Sequence, residues 1–345
     1  MISLSRAISK RSMSAIDFLD IRRTPDAPLD RARGRRPSCL AFMKRIMMLR
    51  YILDRLPYIG RLRKQIRDAG IYPAGHYYSP IPEHEEIVVY LESKKADKVD
   101  PPAIDLNRQN QFELLIAFQA LYDDLPFPET KNQECRYYYD QRVFCYADAI
   151  FLYSFLRHIN PRRIIEVGSG FSSAVILDTA ERFFLQPPEM TFIEPYPDRL
   201  RRLLKSHDEG ATRIIERKVQ EVPIDTFSSL RAGDLLFIDS THVMKCGSDV
   251  QFLMFEVLPQ MPVGVFVHFH DVFYPFEYPA EWLLKGIYWN EDYFLRAFLS
   301  YNKEWEIFFF NTYVAAAFKD FLLEKMPLCL KNTGGSLYIR RTGKG

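Results

Sequence analysis

Cysteine is scarce in this chain, and long apolar runs are missing. The five cysteines stand far apart and include no Cys-x-x-Cys pair; they are Cys39, Cys135, Cys145, Cys246 and Cys329. This spacing excludes a disulfide framework and a cysteine-based zinc site, and it indicates a reducing, cytoplasmic compartment. No apolar run reaches the ~18 residues of a membrane-spanning helix, and we recognise no signal peptide.

A large net charge is also missing, but the charges are unevenly distributed. The chain carries +2 overall, whereas residues 1–70 hold 17 Lys and Arg against 6 Asp and Glu. Residues 1–38 show no sustained apolar period and are predicted to be a disordered basic leader, with Met43 as an alternative start.

Residues 39–70 differ from the leader, because their apolar side chains alternate with Lys and Arg at roughly helical spacing. We predict a basic amphipathic helical segment there. Residues 40–66 suit peripheral contact with an anionic surface such as the inner membrane, and packing on the protein's own domain is the alternative.

Residues 163–173 are the most informative segment. A β-branched run ends at Glu166, breaks at Gly168 and Gly170, and leads into hydroxyl residues that open an apolar-periodic helix. Such a strand, turn and helix let the backbone approach a ligand closely, although an ordinary α/β turn is the alternative. A dinucleotide site would have glycine in place of Ser173 and a later acid, so a nicotinamide cofactor is disfavoured.

Further short apolar runs follow, at residues 190–193, 214–216, 235–238 and 264–270. Together with the first strand they place acids at four strand ends, namely Glu166, Glu194, Asp239 and Asp271. Parallel sheets bind ligands at the carboxyl ends of their strands, so these acids indicate a site. Glu194 can accept two hydrogen bonds from vicinal ribose hydroxyls and is the predicted ribose ligand.

From about residue 77 to residue 341 the chain resembles a known family. The phrases that carry the resemblance are residues 78–82, 146–149, 164–174, 192–197, 237–243, 270–279 and 334–340. They are similar to bacterial class I S-adenosylmethionine-dependent methyltransferases of the "methyltransferase domain 24" group. The resemblance implies an α/β fold: a three-layer αβα sandwich with a seven-stranded, mostly parallel Rossmann-like sheet whose last strand is antiparallel. To this we add the N-terminal helical extension of residues 39–70.

The resemblance also implies S-adenosyl-L-methionine as cofactor. The predicted cofactor-binding residues are the turn, the strand-end acids, an adenine contact and two tyrosines: Glu166, Gly168, Ser169, Gly170, Glu194, Gln220, Asp239, Tyr78 and Tyr146. The tyrosines belong to a predicted lid, together with Tyr77, Ser79 and Asp148. A structural turn and a helix start are the alternative interpretation of these lid residues.

Methyl transfer to a hydroxyl oxygen requires alignment of donor and acceptor and removal of a proton. The predicted catalytic residues are Asp239, His242, His270 and Asp271, with an imidazole as base. Alternatively, Asp239, His270 and Asp271 resemble the magnesium site of catechol-type and sugar-type O-methyltransferases. A histidine ligand would suit Mn, Fe or Zn better than Mg. A third alternative makes these residues hydrogen-bonded supports of the sheet end. His268, in the interior of the fifth strand, is predicted to be a satisfied core residue.

The predicted domains are a connector and cap or lid region at residues 71–145 and a methyltransferase domain at residues 146–345. Helices are predicted at residues 111–122, 146–158 and 288–301, and final strands at residues 305–313 and 336–341. Residues 87–100 are interpreted as a charged stretch.

The predicted function is O-methylation of a hydroxyl acceptor, a saccharide or small metabolite. Four aromatic residues either line the acceptor site or pack in the core: Tyr274, Phe276, Tyr278 and Trp282. A non-catalytic protein that binds an adenosyl ligand, or a scaffolding protein, is the alternative. An NAD-dependent oxidoreductase is disfavoured, because no Tyr-x-x-x-Lys arrangement is recognised. Nucleic acid is disfavoured because no Asn-Pro-Pro-Tyr motif follows the fourth strand. The oligomeric state is not predicted.

Overall fold

The structure is a computed structural model that describes residue 61 and residues 70–94 and 99–344. The chain divides into two compact units, residues 1–72 and residues 73–345. The predicted leader lies outside the described residues, as does nearly all of the predicted helical segment of residues 39–70. None of the helices in the described part is long and apolar enough to cross a lipid bilayer.

The second unit alternates helices and strands along the chain. Its α-helices are α1 His84–Ser93, α2 Arg108–Gln119, α3 Tyr146–Ile159, α4 Phe171–Phe183, α5 Asp198–Leu203, α6 Ile224–Ser228, α7 Asp249–Phe252, α8 Ala280–Leu284, α9 Glu291–Leu299, α10 Asn311–Ala317 and α11 Lys319–Lys325. Its strands are β1 Arg163–Val167, β2 Glu189–Ile193, β3 Thr212–Ile215, β4 Leu235–Ile238, β5 Phe266–Phe269, β6 Trp305–Phe310 and β7 Leu337–Arg341.

The seven strands form one sheet in the order β3-β2-β1-β4-β5-β7-β6. Strands β1 to β5 pair in parallel, and β7 is antiparallel to both β5 and β6. The strand order reverses beside β1, so the glycine turn after β1 lies at the switch point where open α/β sheets bind ligands. The predicted seven-stranded, mostly parallel sheet with an antiparallel last strand is confirmed.

Both faces of the sheet are covered, which is why its central strands are apolar runs rather than alternating ones. All four residues of β4 and of β5 are buried. One core cluster contains residues of α2, α3 and α4, and the other contains residues of α6, α7 and α9. Helices therefore sandwich the sheet, and the predicted three-layer arrangement is confirmed.

Two predicted elements differ from the structure. Strand β6 ends at Phe310 rather than at residue 313, because Asn311 begins α10 and its side chain turns into the interior. The stretch predicted as merely charged, residues 87–100, overlaps helix α1 (His84–Ser93), of which only Ile87 is buried.

Three of the four predicted acceptor-site aromatics, namely Tyr274, Phe276 and Tyr278, are buried in core clusters, as their packing alternative states.

Candidate functional site

The turn after β1 requires glycine at its first position. Gly168 has φ +79°, and a Cβ atom there would lie 1.7 Å from the backbone oxygen of Asp239 at the end of β4. The turn is closed by the Gly170 amide, which donates to Ser173 Oγ at 3.0 Å. The backbones of β1 and β4 thus meet where the cofactor was predicted to bind.

Glu166 lies under this turn and is fully buried. It accepts a short hydrogen bond from the Ser173 hydroxyl, whereas its Oε1 and the Ser169 hydroxyl have no hydrogen-bond partner among the described residues. Burial raises the pKa of Glu166 to about 8, although the nearby serine side chains act in the opposite direction. Such unpartnered buried polar atoms fit a polar ligand such as S-adenosylmethionine.

Replacing Glu166 with Gln is expected to remove a pH dependence of folding stability. Its pKa is about 8 in the folded protein against a usual 4.5, so the unfolded chain loses this proton first as the pH rises. The stabilising contribution of Glu166 is complete below about pH 4.5. Between about pH 4.5 and pH 8 it decreases, and the free energy of unfolding falls by about 1.4 kcal/mol per pH unit.

Urea unfolding between about pH 5 and pH 7 measures this slope as the difference between wild type and variant. Glu189→Gln, an exposed carboxyl at the start of β2, is the matched control and should keep the wild-type slope. Equal slopes for wild type and Glu166→Gln would contradict the prediction.

Glu194 follows β2 and reaches across to the glycine turn. Its Oε2 accepts from the Ser169 amide at 3.2 Å and its Oε1 from the Tyr196 amide at 2.8 Å. Each carboxylate oxygen has a second lone pair that can accept from a ligand hydroxyl. The position agrees with the predicted ribose contact, which stays a prediction.

Three other predicted cofactor residues have protein partners of their own. The Gln220 amide donates to the Gly247 carbonyl at 3.0 Å. The Tyr146 hydroxyl donates to Glu129 at 2.6 Å, and its ring stacks on Tyr139 with centroids 4.9 Å apart. Tyr78 is exposed in the turn before α1. Their roles toward the cofactor stay predictions.

The four predicted catalytic residues lie together at the ends of β4 and β5. His270 Nδ1 lies 3.5 Å from Asp239 Oδ1 and 3.7 Å from Asp271 Oδ1. His242 Nε2 lies 3.5 Å from Asp239 Oδ1 and 3.7 Å from Asp271 Oδ2. Imidazoles and carboxylates therefore alternate around a ring of four side chains, which we call the Asp–His ring.

Solvent reaches the two acids of the Asp–His ring far more than the two histidines. The side chains of Asp239 and Asp271 are 25% and 20% exposed, whereas those of His242 and His270 are 6% and 5% exposed. His242 and Asp271 also have positive φ, which is uncommon for such residues and frequent at functional sites. An incoming molecule would meet the carboxylates first.

The charges of the ring are coupled. Burial opposes ionisation of Asp239, but His270 and His242 hold the pKa of that carboxyl well below its usual range. Burial likewise acts against the imidazolium of His242, yet Asp239 and Glu291 raise its pKa to about 10. Burial raises the pKa of Asp271 despite both histidines. The ring thus stabilises ionised Asp239 beside protonated imidazole.

Each histidine is backed by a second carboxylate. His242 Nδ1 lies 3.0 Å from Glu291 Oε2 at the start of α9, and His270 Nε2 lies 3.5 Å from Asp148 Oδ2 in α3. Asp148 is buried rather than placed in a lid, and its Oδ1 accepts from Ser336 Oγ at 2.6 Å. Gly334 packs on it so closely that a Cβ atom there would lie 2.2 Å from Oδ1.

Sequence reasoning missed Glu291 and assigned Asp148 to the lid, so the contact of each carboxylate with a histidine was not predicted. Glu291 is an ordinary acid in the first turn of a helix, and Asp148 is another, so neither shows a distinctive local pattern. His268 is fully buried and stacks on Phe237 with centroids 3.8 Å apart, which agrees with its predicted place in the core. Neither of its ring nitrogens has a hydrogen-bond partner among the described residues, so it differs from the satisfied histidine that was predicted.

The three residues predicted to bind a metal ion lie at the ends of β4 and β5. The structure brings Asp239, His270 and Asp271 together. Among residues 70–94 and 99–344, however, no group of three or more His, Cys, Asp and Glu side chains is arranged to hold a metal ion. We therefore derive no step through a metal, and the divalent cation stays a prediction.

Comparisons with known proteins add the family. The family model described as "Methyltransferase domain" matches residues 165–272, which hold the glycine turn and the Asp–His ring. An "Uncharacterized protein" of Archaeoglobus fulgidus is 36% identical over 170 residues, covering 48% of this chain and 76% of that protein.

Two solved structures are also similar. The Podospora anserina methyltransferase PaMTH1, solved with S-adenosylhomocysteine (SAH), is 15% identical, covers 76% of this chain and 98% of its own, and has a TM-score of 0.37. The Streptomyces achromogenes O-methyltransferase TomG, solved with S-adenosylmethionine (SAM), is 16% identical, covers 76% and 100%, and also has a TM-score of 0.37. Scores this low carry no argument, so the assignment rests on the domain match and on the strand order. By that domain match the chain is a class I S-adenosylmethionine-dependent methyltransferase.

Proposed function

We propose that this methyltransferase methylates a hydroxyl oxygen of a saccharide or small metabolite. The observation that carries the proposal is the Asp–His ring, in which two partly exposed carboxylates stand in front of two buried imidazoles. A hydroxyl must lose its proton as its oxygen attacks, and a carboxylate within reach of solvent can accept that proton.

The two carboxylates differ in their neighbours. The backbone of Asp239 touches the glycine turn, whereas Asp271 lies against Gly335 of the loop before β7. We assign the cofactor side to Asp239 and the acceptor side to Asp271. We assign His242 and His270 a positioning role in place of the predicted imidazole base, because each contacts both carboxylates and is almost fully buried.

When bound, SAM would supply an electrophilic methyl group on a sulfonium, and transfer of that group to the acceptor oxygen would give a methyl ether and SAH. Asp271 takes the hydroxyl proton. The chain's contribution is alignment and proton removal, and aligned reactants lower the barrier substantially.

The glycine turn and Glu194 are the proposed cofactor contacts, and Glu194→Ala tests them. We expect this change to weaken SAH binding about 10- to 100-fold, because it removes acceptors for two ribose hydroxyls. Glu216→Ala is the matched control, since Glu216 follows β3 but pairs with Arg201 at the surface. Calorimetric titration measures both, and unchanged affinity of the Glu194 variant would remove the ribose assignment.

The same titration tests the proposal as a whole. We expect SAH to bind and NAD⁺ not to bind, and methyl transfer from radiolabelled SAM to occur with hydroxyl acceptors. Repeating the transfer after EDTA, and again with added Mn²⁺ or Mg²⁺, tests the predicted cation. Activity that survives EDTA would support proton removal by Asp271 alone, whereas transfer only to amine or thiol acceptors would overturn the proposal.

A further inference from the structure

A pocket of about 460 Å³ lies between the turn that precedes α1 and the segment that joins α8 to α9. One wall comes from the turn and from α1, with Gly75, Tyr77, Pro80 and Glu86 among its residues. The opposite wall comes from Leu283, Tyr288, Trp289, Asn290 and Tyr293. The described residues that line this pocket include none of the proposed cofactor contacts and none of the four residues of the Asp–His ring.

The pocket shares a wall with the Asp–His ring. The Trp289 ring packs on His242, with centroids 4.4 Å apart. The backbone amides of Asn290 and Glu291 both donate to the His242 carbonyl at 3.2 Å. The segment that lines the pocket is therefore the segment that holds His242 in place.

The aromatic wall is fixed by its own packing. Trp289 meets Trp282 edge to face, with centroids 5.3 Å apart. The Tyr293 hydroxyl donates to Glu277 Oε1 at 2.5 Å. Tyrosine and tryptophan held in this way offer flat apolar faces with polar edges, which suits a ring that carries hydroxyl groups.

The charge of the pocket restricts the ligand further. Among the described residues that line it, Glu86 is the acid and none is lysine or arginine. His76 also lines the pocket, but its Nδ1 accepts from the Tyr78 amide at 3.1 Å, so the imidazole is neutral in this arrangement. Glu86 Oε2 accepts from the Glu83 amide at 3.4 Å, so the carboxylate keeps lone pairs for a ligand hydroxyl. A phosphate or carboxylate bound here would face Glu86 without a cationic partner and would be repelled.

We infer that this pocket binds the methyl acceptor, and that the acceptor is an uncharged polyhydroxylated ring, a sugar without phosphate or carboxylate groups. The inference rests on the proposed function and narrows its substrate class. The aromatic faces stack on the ring, and Glu86 accepts from its hydroxyls. Trp289 in the pocket wall packs on His242, whose Nε2 lies 3.7 Å from Asp271 Oδ2.

The test uses the whole chain and a panel of neutral methyl glycosides of glucose, galactose, mannose and rhamnose, each paired with its sugar 1-phosphate. Binding is followed by tryptophan fluorescence and by saturation-transfer NMR. We expect at least one neutral glycoside to bind about tenfold or more tightly than its phosphate. Glu86→Lys should reduce or reverse that preference, and Trp289→Leu should weaken binding of the neutral glycoside about tenfold.

Glu85→Lys is the matched control, because Glu85 lies one residue away in α1, is exposed and does not line the pocket. It should keep the wild-type preference. The inference is overturned if no glycoside binds, if phosphates bind as tightly as neutral sugars, or if Glu86→Lys and Glu85→Lys behave alike.

SAH titration of the same samples separates this inference from the proposed function. Normal SAH binding without glycoside binding would overturn the pocket inference alone. Glycoside binding that responds to Glu86→Lys, in protein that binds no SAH, would overturn the proposed function and support the pocket.

Discussion

Replacing Asp271 with Asn is expected to lower kcat about 10²–10⁴-fold while SAH affinity stays within about threefold of wild type. The amide keeps the shape of the side chain but cannot take a proton. In the wild type the Asp271 carboxylate oxygens lie 3.7 Å from His270 Nδ1 and from His242 Nε2. Asp239, not Asp271, is the acid of the ring that touches the glycine turn. Initial rates at saturating SAM, with a glycoside that binds, measure the loss, and calorimetry measures SAH affinity.

Asp249→Asn is the matched control for neutralising a nearby acid. Asp249 accepts from the Thr241 amide and hydroxyl at 2.9 and 2.6 Å, outside the Asp–His ring, so this variant should keep most of the wild-type rate. If Asp271 removes the proton, its variant should lose less activity with a more acidic hydroxyl, which needs less help from a base. A rate equal to wild type would eliminate the catalytic role of Asp271.

The sheet could be predicted because its signals are local. Strands β1, β4 and β5 are short, mostly apolar and buried. A polar site residue lies beside the end of each: Glu166 within β1, Asp239 after β4 and His270 after β5. Helix α1 was missed because it buries only Ile87, so its sequence lacks the apolar stripe that identifies a helix.

The site could be predicted only in part, because only some of its residues are marked by a local sequence pattern. Asp239, His242, His270 and Asp271 follow strands, and the carboxyl ends of parallel strands converge. The partners behind them come from distant parts of the chain: Glu291 is 49 residues from His242, and Asn311, which donates to Asp148, is 163 residues from it. No local pattern encodes such pairs, so the fold had to be known before they could be found.

A second long-range cluster gives the largest expected effect on stability. Arg136 precedes α3, and its side chain is 1% exposed. Its guanidinium donates to Asp178 Oδ1 at 2.7 Å and to both oxygens of Asp208, at 2.9 and 2.6 Å. Asp178 lies in the middle of α4, so one cation joins three separate segments of the chain.

Replacing Arg136 with Met is expected to lower the free energy of unfolding by about 3–5 kcal/mol. The change leaves Asp178 and Asp208 buried without their cation, whereas the apolar side chain fills much the same volume. Burial opposes ionisation of Glu181, but Arg136 and Lys205 lower the pKa of that carboxyl to about 2, so it is ionised as well. Urea unfolding of purified wild type and variant at neutral pH measures the difference.

Arg201→Met is the matched control, because Arg201 pairs with Glu216 at the surface, where both side chains are half exposed. It should change the free energy of unfolding by about 0.5 kcal/mol or less. Arg136→Lys keeps the charge but loses the bidentate contact with Asp208, so we expect an intermediate loss of free energy of unfolding. This variant replaces Arg136→Met in the measurement if the methionine variant does not fold. Losses for Arg136 variants no larger than that of Arg201→Met would show that the buried cluster does not stabilise the fold.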